Sequence, residues 1–283
     1  MKPFLLALAA SMAFATAFAR PQVERPIIGA EQDHSIADDG TGDCASFYRT
    51  TFTSFDEKVH DQQQRELDLD GVPQVRVSAA PEGGLSIRGW NKSDARLVIC
   101  RYAVANTKAH AARVLQSISV SSRNGEISAA GPPMDATQAW WVNMTLYVPR
   151  RATLEVRAAN GGVAIRNLTG RVSAHATTGG ISVAQSSGRY TITTESGGIT
   201  LDRVNGLVEA NSKDGAIAFK VAGAAVPSIE AKTADGGRIL CTLKGCEEAL
   251  ASAGNRLRLG GDGVPDVRLS STGGSIWIGP VTY

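Results

Sequence analysis

The stretch from Asn160 to Phe219 reads NGGVAIRNLTGRVSAHATTGGISVAQSSGRYTITTESGGITLDRVNGLVEANSKDGAIAF. Glycine recurs in it every nine residues, at Gly161, Gly170, Gly179, Gly188, Gly197, Gly206 and Gly215. A small polar residue precedes each one (Asn160, Thr169, Thr178, Ser187, Ser196, Asn205, Asp214). Two residues after the glycines come Val163, Val172, Ile181, Tyr190, Ile199, Val208 and Ile217; four after come Ile165, Ala174, Val183, Ile192, Leu201, Ala210 and Phe219. A small polar residue followed by glycine is a turn signal, because glycine accepts left-handed backbone angles and short polar side chains bond the nearby backbone. Apolar residues two apart lie on one face of a strand. Each unit is thus a turn and a short strand, too small to bury its own apolar face. Stacking buries it, at ~4.8 Å per coil.

The units alternate. Gly161, Gly179 and Gly197 precede a second glycine, whereas Gly170, Gly188 and Gly206 precede Arg171, Arg189 and Leu207. The coil is therefore eighteen residues with two strands, and the expected fold is all-β: a single-stranded, flattened β-solenoid of the β-helix or β-roll kind. A hexapeptide helix would need an aliphatic residue every six, and six-residue steps from Val163 reach Thr169 and His175.

The pattern continues outward. Leu154 and Val156 fit one unit upstream; Val267 with Leu269, and Ile276 with Ile278 after Gly273-Gly274, fit downstream. The register breaks over residues 222–260, which reads as a coil carrying a loop insertion, with Ile239 and Cys241 facing inward. Residues 136–283 are the expected solenoid, entered through the strand Trp140–Pro149. Residues 45–135 form a less regular, strand-rich region whose expected role is to cap the open end of the stack. It includes Val75 and Val77, a degenerate coil at Gly83–Ile87, a buried strand over Leu97–Tyr102, a short helix over Ala105–Leu115, and strands around Ile118, Val120 and Ile127.

Residues 1–19 read as a secretory signal peptide: Lys2, an apolar run from Phe4 to Phe18, and an Ala17-Phe18-Ala19 cleavage site. Residues 20–44, rich in Pro, Asp and Gly, read as a flexible leader. The expected location is the periplasm or the cell exterior, with no membrane-spanning segment in the mature chain. Four cysteines in an exported chain are expected to pair. Three connectivities exist; the expected one joins Cys241 to Cys246, close in sequence, and Cys44 to Cys100. The formal charge of +2 gives no overall pull toward nucleic acid.

The run from Val142 through Phe219, with its repeated Thr/Ser-Gly-Gly-Ile-x-Val, resembles the bacterial putative-adhesin domain family of unknown function, a group of exported β-solenoid repeat proteins. Gly83-Gly84-Leu85-Ser86-Ile87-Arg88-Gly89-Trp90 resembles that family's early element. The resemblance covers residues 70–283. It implies the fold and, through the family's label, surface adhesion. It brings no catalytic residue, and its motifs are turns and core positions.

Candidate chemistry is sparse. Calcium-binding β-rolls place an aspartate in every repeat; here the matching positions are Arg166, His175, Ala184, Thr193, Asp202, Asn211 and Lys220, and Gly260-Gly261-Asp262-Gly263 with Asp266 is an isolated fragment. Polysaccharide-cleaving β-helices need clustered Asp with Arg or Lys. The outward positions here are Ala164, Ser182, Thr200 and Ala218 on one side and Ser173, Thr191 and Glu209 on the other. Asp202-Arg203 reads as a solvated pair, and His34, His60, His110 and His175 are scattered. Thr191-Ile192-Thr193 is one rung of a threonine array, without neighbours of its kind. Trp277 either seals the C-terminal end or stands exposed; Trp140 and Trp141, being adjacent on a strand, point to opposite faces. The expectation is a non-catalytic putative adhesin or envelope scaffold, with no cofactor, metal or catalytic residue, whose partner is an envelope protein or glycan. The alternative is a carbohydrate-active β-helix enzyme with its site in the irregular region.

Overall fold

The computed structural model describes residues 55, 57–69, 72, 74–223, 226–246, 255–260 and 263–281; residues 1–44, where the signal peptide and leader are expected, lie outside them, Cys44 included. The first part of the chain supplies β1 (Glu57–Leu67), β2 (Val75–Ser78), β3 (Leu85–Trp90), β4 (Ala95–Ala105), α1 (Lys108–Ser117), β5 (Ser119–Arg123), β6 (Glu126–Ala130) and β7 (Gln138–Pro149). The repeat supplies β8 (Thr153–Ala158), β9 (Val163–Arg166), β10 (Arg171–Ala176), β11 (Ile181–Thr194), β12 (Ile199–Ser212) and β13 (Ile217–Val221). The remainder supplies β14 (Ile229–Thr233), β15 (Ile239–Cys241), β16 (Arg256–Leu259), β17 (Val267–Ser271) and β18 (Ile276–Pro280).

These strands form two facing parallel ribbons. The first runs β6, β2, β8, β10, the second half of β11, the second half of β12, β17 and β14. Antiparallel β5 and β16 close its ends. The second runs β7, β3, β9, the first halves of β11 and β12, β13, β18 and β15. Antiparallel β4 and β1 extend it at the N-terminal end. β11 and β12 each bend from the second ribbon into the first. They turn at Gln185 (φ 50) and Arg203 (φ 56), with Gly188 (φ 128) and Gly206 (φ 101) completing the corners. The fold is the expected all-β solenoid with one helix, and it starts at the Gly83–Ile87 coil, since β2 and β3 already stack in parallel on β8 and β9.

The inward columns are those of the repeat. Val163, Ile181, Ile199, Ile217, Ile276 and Ile239 stack in register along the second ribbon. Leu154, Val172, Tyr190, Val208, Val267 and Ile229 stack along the first, and all twelve are buried in one core. The recurring glycines follow from the stacking itself. A Cβ on Gly179, Gly197 or Gly215 would run into the carbonyl of the glycine one coil before it, so only hydrogen fits. A buried hydroxyl column, Thr194, Ser212, Ser271 and Thr233, fastens the same turns. The Thr194 hydroxyl donates to the Gly197 carbonyl (2.5 Å), and Ser212 Oγ accepts from Gly215 N–H (2.9 Å). Ser271 Oγ accepts from Gly274 N–H (3.0 Å) and donates to the Gly215 carbonyl (2.9 Å). These bonds satisfy backbone groups that a turn buried against its neighbour would otherwise leave unpaired.

Two features differ from the reading of the sequence. The last strands in the chain do not end the stack: β17 lies between β12 and β14, and β18 between β13 and β15. Trp277 therefore seals no end; it stands half-buried on the outer face of β18. The helix begins three residues later than expected, at Lys108, because the Thr107 hydroxyl caps it by accepting from His110 N–H (3.2 Å). It packs over β4, β1 and β7 at the N-terminal end. Trp140 enters the main core, and Trp141 joins Trp90, Cys100, Tyr102 and Tyr147 in a second cluster on the other side of β4 and β7.

Candidate binding surface

The two ribbons present different outer faces. On the first, charges of opposite sign alternate between neighbouring strands. Arg76 pairs with Glu155 (3.3 Å) and Glu126 (3.4 Å). Ser173 and Thr191 follow, and then Glu209, Arg268, Glu230 and Arg258 in successive register. Glu230 accepts from Arg256 (2.5 Å) and lies 3.2 Å from Lys232; the bond from Arg256, then that from Lys232, holds its carboxyl below the ordinary carboxylate value. Cross-strand pairs of this kind stabilise a sheet and satisfy each other, leaving little for a ligand.

The second ribbon carries an uncharged column. Ala164, Ser182, Thr200, Ala218, Trp277 and Leu240 lie side by side, each in register with the next. The side chains are small up to Ala218, and Trp277 and Leu240 then rise from the sheet. The step leaves a groove of about 320 Å³, floored by Thr200 and Ala218, walled by Trp277 and Leu240, and edged by Gly198, Ala216 and Ser275. Leu240 is 56% exposed, a high value for a leucine beside a tryptophan. The groove can offer an aromatic face, aliphatic contact and two hydroxyls. Among the described residues its lining has no carboxyl, imidazole, amine or thiol group.

The residues weighed for chemistry are dispersed. His60 stacks on Tyr102 (5.9 Å), His110 meets Gln138 (3.0 Å), and His175 lies 3.9 Å from Glu195. Asp202 pairs with its neighbour Arg203 (2.9 Å). Asp266 accepts from the Ser228 hydroxyl (2.7 Å) and staples a turn, while Gly261 and Asp262 lie outside the described residues. Among the described residues no three of His, Cys, Asp and Glu gather as a metal site would require. Cys241 and Cys246 are disulfide-bonded, with Cα atoms 5.8 Å apart. Cys100 is buried and disulfide-bonded. Its expected partner, Cys44, is outside the described residues.

Sequence reasoning named Trp277 but not Leu240. The two meet only because β18 lies beside β15. The one local signal was an apolar residue at the outward position between Ile239 and Cys241.

Fold and surface together define a parallel β-solenoid whose distinctive outer feature is an uncharged, stepped column. The chain belongs to the Toastrack DUF4097 family, whose model matches residues 106–278. No curated protein matches the sequence. Among solved structures, it is similar to a putative cell adhesion protein from Clostridium sporogenes ATCC 15579, with 13% identity, 79% of this chain and 100% of that chain covered, and a TM-score of 0.38. No helix among the described residues is long and apolar enough to cross a membrane.

Proposed function

We propose that this protein is an exported, non-catalytic adhesin-like module that binds a cell-envelope protein or glycan through the outer column of its second ribbon. The observation that carries this reading is the step from Thr200 and Ala218 up to Trp277 and Leu240, a contact surface whose described lining has no acid, imidazole, amine or thiol. Family membership and the signal-like residues 1–19 support it, and the Cys241–Cys246 disulfide suits an oxidising compartment, periplasmic or extracellular. The test is binding of the mature chain to a panel of purified envelope proteins and uncharged envelope glycans, repeated with Trp277→Ala and Leu240→Asp. Both substitutions should abolish binding while leaving the melting temperature close to that of the parent. Undiminished binding by both variants, or hydrolysis or elimination of a polysaccharide by the parent protein, would overturn the reading.

A further inference from the structure

We infer that the corner where the second ribbon passes into the first is a separate binding site for a linear acidic polysaccharide. Successive coils bring arginines to this corner. Arg150 and Arg151 sit in the turn between β7 and β8, Arg171 opens β10, and Arg189 follows the Gly188 corner of β11. Arg171 and Arg189 are direct register neighbours. The Arg150 carbonyl accepts from Thr169 N–H (2.7 Å), which fixes the Arg150-Arg151 turn one coil before Arg171. Arg171 and Arg189 thus stand one coil apart, ~4.8 Å, between Thr153 and Leu207 in the same register column, with the Arg150-Arg151 turn beside them in the preceding coil.

All four side chains are exposed, and none has an acidic or hydrogen-bonding partner among the described residues. Among the described residues, Asp202 in these corners is already paired with Arg203, and Asp266, two coils beyond Arg189 at the same edge, accepts from the Ser228 hydroxyl. The opposite corner is mixed, carrying Glu82, Glu195, Asp214 and Asp235 beside Arg157, Lys213 and Arg238. A whole-chain charge of +2 conceals this separation, because binding responds to local field rather than net charge.

The geometry selects the occupant. Exposed guanidinium groups on three successive coils, two of them in register, match an extended polymer bearing one carboxylate or sulfate per sugar. Arginine also pairs with such groups through two parallel hydrogen bonds. Single-stranded nucleic acid would need exposed aromatic platforms. The aromatic ring within these corners, Tyr190, is buried, with its hydroxyl donating to the Leu168 carbonyl (3.0 Å).

The site does not depend on the Trp277 groove, and its test separates the two. The full mature chain is titrated with polygalacturonate, heparin and neutral dextran at low and high salt. The acidic polymers should bind, dextran should not, and added salt should weaken binding steeply. Arg171→Gln combined with Arg189→Gln should weaken polygalacturonate binding about tenfold, whereas Trp277→Ala should leave it unchanged. If the double variant melts early, Arg150→Gln with Arg151→Gln, placed in a turn, should give the same loss. Equal binding by the parent and the arginine variants, equal binding of dextran, or tighter binding of single-stranded oligonucleotides or phosphatidylserine vesicles than of polygalacturonate would overturn the inference.

Discussion

Val208 stacks on Val267 and not on Ile229, although Ile229 follows it sooner along the chain. The final strands β17 and β18 are thereby sandwiched, with β14 and β15 beyond them and β16 closing the first ribbon outside β14. Leu269 lies in register between Ala210 and Ala231 and is buried. Its small neighbours cannot expand to fill a void. Leu269→Ala should cost about 2–5 kcal/mol, measured as a lower urea midpoint. An unchanged midpoint would contradict the sandwiched order.

Glycines in the stack and glycines outside it should respond differently to alanine. At Gly197 a Cβ would lie 2.5 Å from the carbonyl carbon of Gly179, so two coils must move apart, at a cost of ~1–3 kcal/mol. At Gly236 nothing lies within 4 Å, and the strain comes only from its φ of +83. Gly236→Ala should cost about 1–2 kcal/mol without disturbing the inter-coil amides. Hydrogen exchange separates the cases: Gly197→Ala should speed exchange in β11 and β12, and Gly236→Ala should not.

Tyr190 gives the fold an alkaline limit. Burial pushes its phenol from an ordinary 10.0 up to about 12. The folded state therefore favours the neutral ring. That preference is fully present below pH 10 and is lost as pH rises toward 12, amounting to about 2–3 kcal/mol. Tyr190→Phe removes this dependence. It also removes the bond to the Leu168 carbonyl, at a cost of about 1–2 kcal/mol near neutrality. Parent and variant stabilities should converge between pH 10 and 12 in chemical denaturation, and parallel curves would contradict the assignment.

Glu230 acts in the opposite direction. Its depressed carboxyl pKa, set first by Arg256 and then by Lys232, contributes stability above the ordinary value of 4.5 that disappears as pH falls through the folded value. Glu230→Gln should flatten the acid limb of the melting-temperature profile. The change should be confined to β14 and β16, which Glu230 and Arg256 tie together.

The inward columns were legible because both signals behind them are local: an apolar residue every second position, and a glycine where adjacent coils touch. The outward positions Ala164, Ser182, Thr200 and Ala218 followed from the same alternation. The order of the last coils was not legible. Val267 and Ile229 both satisfy the strand pattern, and nothing local tells which of them meets Val208. The groove was hidden for the same reason, since Trp277 and Leu240 become neighbours only through that order. The arginine edge escaped notice because Arg150, Arg171 and Arg189 stand apart in sequence while total charge nearly cancels. The hydroxyl column was readable, three residues before Gly197, Gly215 and Gly274, but hydroxyls in a Ser/Thr-rich chain attract no attention until their turns are seen packed.

The sandwiched tail also constrains how such a molecule can lengthen. Because β17 and β18 are clasped on both sides, sequence appended after β18 has no place to stack directly on them. New coils fit most directly by duplication within the uniform middle, between β9 and β12, where each eighteen-residue segment presents the same pair of contact surfaces above and below. Family members of different length should accordingly differ by whole multiples of eighteen residues placed there, with both ends carried along unaltered.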